Sequence, residues 1–269
     1  MEDRIAKQRL NIILLVDCSK SMSGTKIESI NHALSEIKER LIEMQGENAN
    51  VDFYLTIITF ATRAEFHNGD VMKNVNDFAI PNLEAGGWSN LHFAYSKLNQ
   101  ILKKESNGGI MPDFGGIAPI ILLMSDGHPT SYEYKRQFKI LNKSPWFNAA
   151  IRYGIAIGIN DDKTKDVLRE FVGDNGEQID CLDTDKLKNI IEIIVLTASK
   201  VKSDSFDVIT DVTSNEANLS LQTVRQEIDD ALDDIDEWEC KRCTVTQKAI
   251  SDIRTLNPEP HVRISACMS

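Results

Sequence analysis

LNIILLVDCSKSMSG, residues 10–24, is the stretch whose reading decides the fold. Residues 10–16 are apolar without a break, and the run stops at Asp17. A strand with one face in water alternates, whereas unbroken apolarity marks a strand covered on both faces, as in a parallel sheet. The turn SKSMSGTK follows. Beyond it Ile27, Ile30, Leu34, Ile37, Leu41 and Met44 stand three or four apart, one stripe of an amphipathic helix.

Working outward, the same alternation repeats. Residues 51–61 (VDFYLTIITFA) are rich in β-branched and aromatic side chains and read as a second strand. A weak strand is expected between 63 and 75, with Pro81 in the loop beyond. Leu91, Tyr95, Leu98 and Leu102 predict a helix over 91–103. Residues 117–125 (IAPIILLMS) predict a buried strand ending at Asp126, 131–142 a helix, and 151–159 (IRYGIAIGI) a strand. A helix from Asp161 through Phe171, a short strand at 178–182 and a helix over 184–200 complete the series. Strands alternating with helices predict an α/β, largely parallel sheet covered on both sides. In such sheets ligands bind at the carboxyl ends of the strands, where the strand order reverses. Asp17, Asp126 and the loop at 86–90 should therefore share one rim.

Asp17-Cys18-Ser19-Lys20-Ser21 has the pattern DxSxS. Two hydroxyls spaced by two, just past a strand, can both turn to a cation at the strand's end. Mg²⁺ takes oxygen ligands in an octahedron at roughly 2.0–2.1 Å and keeps several waters. Two Ser hydroxyls, a third hydroxyl and two nearby carboxylates suit that shell. Because hydroxyls are neutral, the metal's charge is only partly offset, and an open position attracts an outside carboxylate.

LLVDCSKSMSG, AGGWSNL and LLMSDGHPTS together resemble the von Willebrand factor A (vWA) family and its metal-ion-dependent adhesion site, in the family's order and separations. The resemblance runs from Leu10 to about Ser203. It implies a doubly wound, Rossmann-like sheet of six strands, mostly parallel with one antiparallel edge. It also implies an Mg²⁺ or Mn²⁺ site built by Asp17, Ser19, Ser21, Ser89 and Asp126. Ser19 and Ser21 would bind directly, and the two aspartates directly or through water. Where the family has Thr after the glycine pair, this chain has Trp88-Ser89, so aligning Leu91 makes Ser89 the hydroxyl ligand and Trp88 an insertion. SDGHPT, GIAIGINDD and TASKVKS resemble the bacterial TerY-like tellurium-resistance subgroup. That likeness implies a scaffold or adaptor role in stress response or defence, with a protein kinase and a protein phosphatase as partners. Alanine at Asp17 or Asp126 is expected to remove the metal and spare the fold, both being placed at the rim.

Charge and cysteines bound the remaining classes. The net charge is -11, of which residues 201–239 hold -10 and residues 240–269 hold +3. The rest is only mildly acidic and has no basic stripe, which argues against nucleic acid as a ligand. The step near residue 201 suggests a vWA domain over 1–203 and an extension over 204–269. No run approaches the roughly 18 apolar residues of a membrane span, and the charged N-terminus is no signal peptide. Five scattered cysteines argue against a disulfide framework, so a cytoplasmic setting is expected. Within the extension, residues 219–238 carry an apolar heptad stripe opposite an acidic face, read as a docking helix. Cys240, Cys243, His261 and Cys267 have spacing at the edge of what a zinc ribbon allows, which leaves Zn²⁺ and free thiols both open.

The expectation is a binding module with no catalytic residues. A metal-dependent hydrolase or phosphatase is the alternative, but it needs a nucleophile or base beside the metal. The turn after the first strand offers Ser where an aspartyl-phosphate enzyme has a second Asp. Cys18 reads as a small residue packed under the strand, His128 as a loop residue at the rim, and His32 and His92 as helix positions.

Overall fold

The computed structural model describes residues 7–47, 51–67, 71–158, 162–173 and 176–181, together with residue 189. By contacts the chain divides into the units Met1–Ile228 and Asp229–Ser269, and every described residue lies in the first. The expected helices at 184–200 and 219–238, the boundary near 203 and the cysteine tail lie outside the described residues.

The chain opens with β1 (Gln8–Asp17), a 3₁₀ turn at Lys20–Met22 and α1 (Thr25–Glu47). Then come β2 (Val51–Phe60), β3 (Ala64–Phe66), β4 (Lys73–Asn74) and α2 (Leu91–Ile101). Next are β5 (Ile120–Ser125), α3 (Glu133–Leu141), α4 (Pro145–Ala149) and β6 (Ile151–Ile157), followed by α5 (Asp162–Val172) and β7 (Gly176–Cys181). The strands form one sheet in the order β3-β2-β1-β5-β6-β7, with β4 also paired to β2. β1, β2, β5, β6 and β7 run parallel, while β3 and β4 run antiparallel to β2.

Among the described residues the continuous path has the six strands expected, and β4 makes a seventh, only two residues long. The single weak strand expected within 63–75 is thus two short ones. Gln45 of α1 helps to place β4: its amide accepts from the Phe53 N–H at 2.6 Å and donates to Asn74 at 3.0 Å. β5 starts at Ile120 rather than at 117, because Pro119 has no N–H for the ladder. Its carbonyl accepts from Ile151 at 3.0 Å instead. α4 was not expected. Ser144 caps it, accepting from the Phe147 N–H at 3.4 Å, and Pro145 fills its first turn.

β1 is buried from Leu10 through Asp17. On one face Ile13, Leu15, Ile121 and Leu123 meet α2, α3 and α5 through Tyr95, Leu98, Phe138 and Phe171. The rings of Tyr95 and Phe171 stack at 6.0 Å, and Phe147 meets Phe171 edge-on at 5.7 Å. α1 buries the expected stripe, Ile27, Ile30, Leu34, Ile37, Leu41 and Met44, and contacts β2. Each fully buried aliphatic or aromatic side chain of this kind contributes roughly 1.5–3 kcal/mol. Among the described residues no helix is long and apolar enough to cross a membrane.

From β1 the chain winds outward to β2 and β3, then returns to β5 and winds the other way to β7. Strand order therefore reverses between β1 and β5. Their register pairs Val16 with Met124, which sets Asp17 level with Ser125 at the carboxyl ends.

Candidate metal centre

Asp17 ends β1 and is fully buried. Its Oδ1 accepts from the Ser19 N–H at 2.8 Å, so the backbone turns back at once and the Ser19 hydroxyl lies beside the strand end. Its Oδ2 accepts from the hydroxyls of Ser89 at 2.9 Å and Ser125 at 2.7 Å. Burial pushes the Asp17 carboxyl above its ordinary value, and the hydrogen bonds from Ser125, Ser19 and Ser89 oppose that shift. The buried Met22 side chain anchors the 3₁₀ turn and leaves Ser21 exposed at the surface.

The hydroxyls of Ser19 and Ser21 are 3.1 Å apart, and Ser21 donates to Asp126 Oδ1 at 2.7 Å. The other Asp126 oxygen, Oδ2, pairs with the Lys26 ammonium at 2.5 Å. Asp17, Ser19, Ser21, Ser89 and Asp126 thus form one connected set at the rim between β1 and β5. Ser125 and Lys26 join it, and sequence reading missed both. Ser125 was legible in principle, since it precedes Asp126 and the parallel pairing puts it opposite Asp17. Lys26 carried no local signal, because its partner lies 100 residues away.

The loop at 86–90 is sewn to its neighbours by main-chain bonds. Gly86 donates to Cys18 O at 2.7 Å, Lys20 to Gly87 O at 3.1 Å, Asn90 to Ala61 O at 3.0 Å, and Thr130 to Ser89 O at 2.7 Å. Gly87 has φ +80°, and a Cβ there would lie 2.4 Å from the Thr62 hydroxyl. No other residue fits that turn without strain. The turn sends Ser89 inward to Asp17 and leaves Trp88 66% exposed. Trp88 and His128 border a cleft of about 460 Å³ that also takes in Ser19, Ser21 and Ser89.

These oxygens suit a hard divalent cation. Adjacent ligands of an octahedron with 2.0–2.1 Å bonds are about 2.9 Å apart. The Ser19–Ser21 and Ser21–Asp126 separations, 3.1 and 2.7 Å, bracket that value. Among the described residues no three His, Cys, Asp or Glu side chains converge, so a cation here depends on hydroxyls. Cys18 is buried beside Asp17, and burial together with the Asp17 charge pushes its thiol up to about 12. It is a neutral packing residue rather than a thiolate. The expectation that Asp17→Ala spares the fold loses its premise, because Asp17 is buried rather than exposed at the rim and its carboxylate accepts from three donors.

Comparison with known proteins agrees with this architecture. Human inter-alpha-trypsin inhibitor heavy chain H6 is 26% identical over 129 residues, covering 45% of this chain and 9% of its own length. The pilus adhesin SpaC from Lactobacillus rhamnosus GG superposes with a TM-score of 0.51 at 12% identity, over 72% of this chain and 31% of that one. At that identity the likeness is one of fold. Proximal thread matrix protein 1 from the mussel byssus, described with a zinc-occupied MIDAS motif, gives a TM-score of 0.47 at 13% identity, over 72% of this chain and 48% of that one. The chain therefore spans less than half the length of each of these relatives. The von Willebrand factor type A domain family matches residues 11–193, more than half of the sequence. With the reversing parallel sheet and the rim at β1 and β5 in place, the chain belongs to the von Willebrand factor type A domain family.

Proposed function

We propose that this chain is a metal-dependent protein-interaction module whose partner donates a carboxylate to an Mg²⁺ or Mn²⁺ ion held by Ser19, Ser21, Ser89, Asp17 and Asp126. The observation that carries the reading is the spacing of the Ser19, Ser21 and Asp126 oxygens, which is that of neighbouring octahedral ligands. A bound cation supplies an electrophilic point for an anionic oxygen. With three of the five groups neutral hydroxyls and Asp126 already paired with Lys26, the cation's charge is only partly offset, and the exposed Trp88 beside it offers an apolar anchor of the kind that concentrates binding energy. Binding is favoured over hydrolysis because the thiol beside Asp17 is neutral and the residue two past Asp17 is a serine.

In this reading the module is a cytoplasmic scaffold or adaptor in a bacterial stress-response or defence system. The likeness of SDGHPT and GIAIGINDD to TerY-like proteins supports that setting and points to a kinase and a phosphatase as partners.

The test is calorimetry with Mg²⁺ and Mn²⁺, followed by capture of partners with and without chelator. One cation should bind per chain, chelator and Ser21→Ala should both weaken the complex, and Trp88→Ala should weaken it without altering metal affinity. A partner whose affinity ignores both chelator and Ser21→Ala would remove the metal from recognition.

A further inference from the structure

Lys26 sits in the first turn of α1, where the helix dipole opposes a cation and favours an anion. Its stem runs past the end of β6. Gly158 there has φ +62°, and a Cβ on it would stand 3.3 Å from Lys26 Cε. The backbone thus leaves a passage that a larger residue would narrow. At the end of that passage the ammonium meets Asp126 Oδ2 at 2.5 Å, on a carboxylate side chain only 1% exposed. The second carboxylate oxygen is taken by Ser21. Against the dipole and through a glycine gap, the fold brings one ammonium to the carboxylate assigned above to the metal.

We propose that Lys26 is a resident counter-ion of Asp126 that competes with the divalent cation for that carboxylate and sets the charge of the loaded site. The inference rests on the metal reading above and deepens it. Asp17 and Asp126 bring two negative charges and Lys26 one positive charge. Counted over these three groups alone, the set stands at net -1 without the cation and net +1 with it, and Lys20 on the cleft wall adds one positive charge to either state. Without Lys26 those values would be -2 and zero. Lys26 weakens cation binding by that charge, and for the same reason it keeps the loaded site positive, so that it draws a carboxylate. In the metal-free protein the ammonium also shields a buried carboxylate whose ion pair among the described residues is with Lys26.

The full-length chain is compared with Lys26→Met, which keeps the stem, and Lys26→Arg, which keeps the charge. Calorimetry measures Mg²⁺ and Mn²⁺ affinity, and thermal melts are run in chelator and in saturating Mg²⁺. Loss of one charge at this range, in a partly solvated rim, is expected to tighten cation binding by about tenfold in Lys26→Met. Lys26→Met should melt below the parent in chelator, and saturating Mg²⁺ should close that gap. Lys26→Arg should follow the parent in both. If Lys26→Met does not fold without metal, Lys26→Gln keeps a donor for Asp126 and carries the same comparison. Unchanged or weaker affinity in a folded Lys26→Met, or a melting gap that Mg²⁺ leaves in place, overturns the proposal while the metal site stands. No binding by the parent or by either variant overturns the site and the proposal together.

Discussion

Asp17 and Asp126 look alike in the sequence, each closing an apolar run, but their surroundings give them different work. Asp17 is fully buried and receives the Ser19 N–H and the Ser89 and Ser125 hydroxyls. Among the described residues Asp126 holds the exposed Ser21 and the part-exposed Lys26, both of which can turn to water. Leaving a buried donor unsatisfied costs about 1–3 kcal/mol. Both Asp17→Ala and Asp126→Ala should abolish metal binding in calorimetry. Only Asp17→Ala should also lower the thermal midpoint markedly in chelator, since several donors lose their acceptor at once. Equal melting of the two variants would mean that the Asp17 bonds contribute nothing to the fold.

At the scale of elements, the loop at 86–90 is the part whose geometry is least forgiving. Gly87 combines a left-handed φ with a close approach to Thr62. Gly87→Ala should cost about 1–3 kcal/mol in denaturant melts and weaken metal binding, because the turn aims Ser89 at Asp17. A neutral Gly87→Ala would show that the loop relaxes freely. The same loop shows where sequence reading succeeds and where it stops. The apolar runs at 10–16 and 117–125 and the stripe of α1 were legible because buried parallel strands and amphipathic helices leave a pattern in one dimension, although β5 begins only at Ile120. Ser89 was legible only through its resemblance to a family position, and its inward turn became clear from the bond to Asp17. β3 and β4 were blurred, since short edge strands are placed by side chains such as Gln45 from another element. α4 was overlooked although Ser144-Pro145 spells a helix start, because five residues are too few for a periodic stripe. Lys26 was illegible, since nothing near it in sequence names an acid 100 residues away.

For the whole molecule, the decisive feature is that the rim joins parts of the chain remote from one another. Asp17 and Ser125 are 108 residues apart, and they meet only through the parallel pairing of β1 with β5. Contacts of such long sequence separation are costly in loop entropy and slow to form. An unfolded chain scatters the same hydroxyls and carboxylates, so a cation that needs them together binds the folded state alone and stabilises it by mass action. Kinetics should reveal when the rim is made. If its oxygens converge after the rate-limiting step, Mg²⁺ slows unfolding in stopped-flow experiments and leaves the refolding limb where it was. That is the expected outcome, and a faster refolding limb with unchanged unfolding would place the rim in the nucleus. With that outcome the reversal of strand order between β1 and β5 would act as a clock: the rim it creates would be assembled last, and a cation seated there would work as a latch on a chain that has already folded.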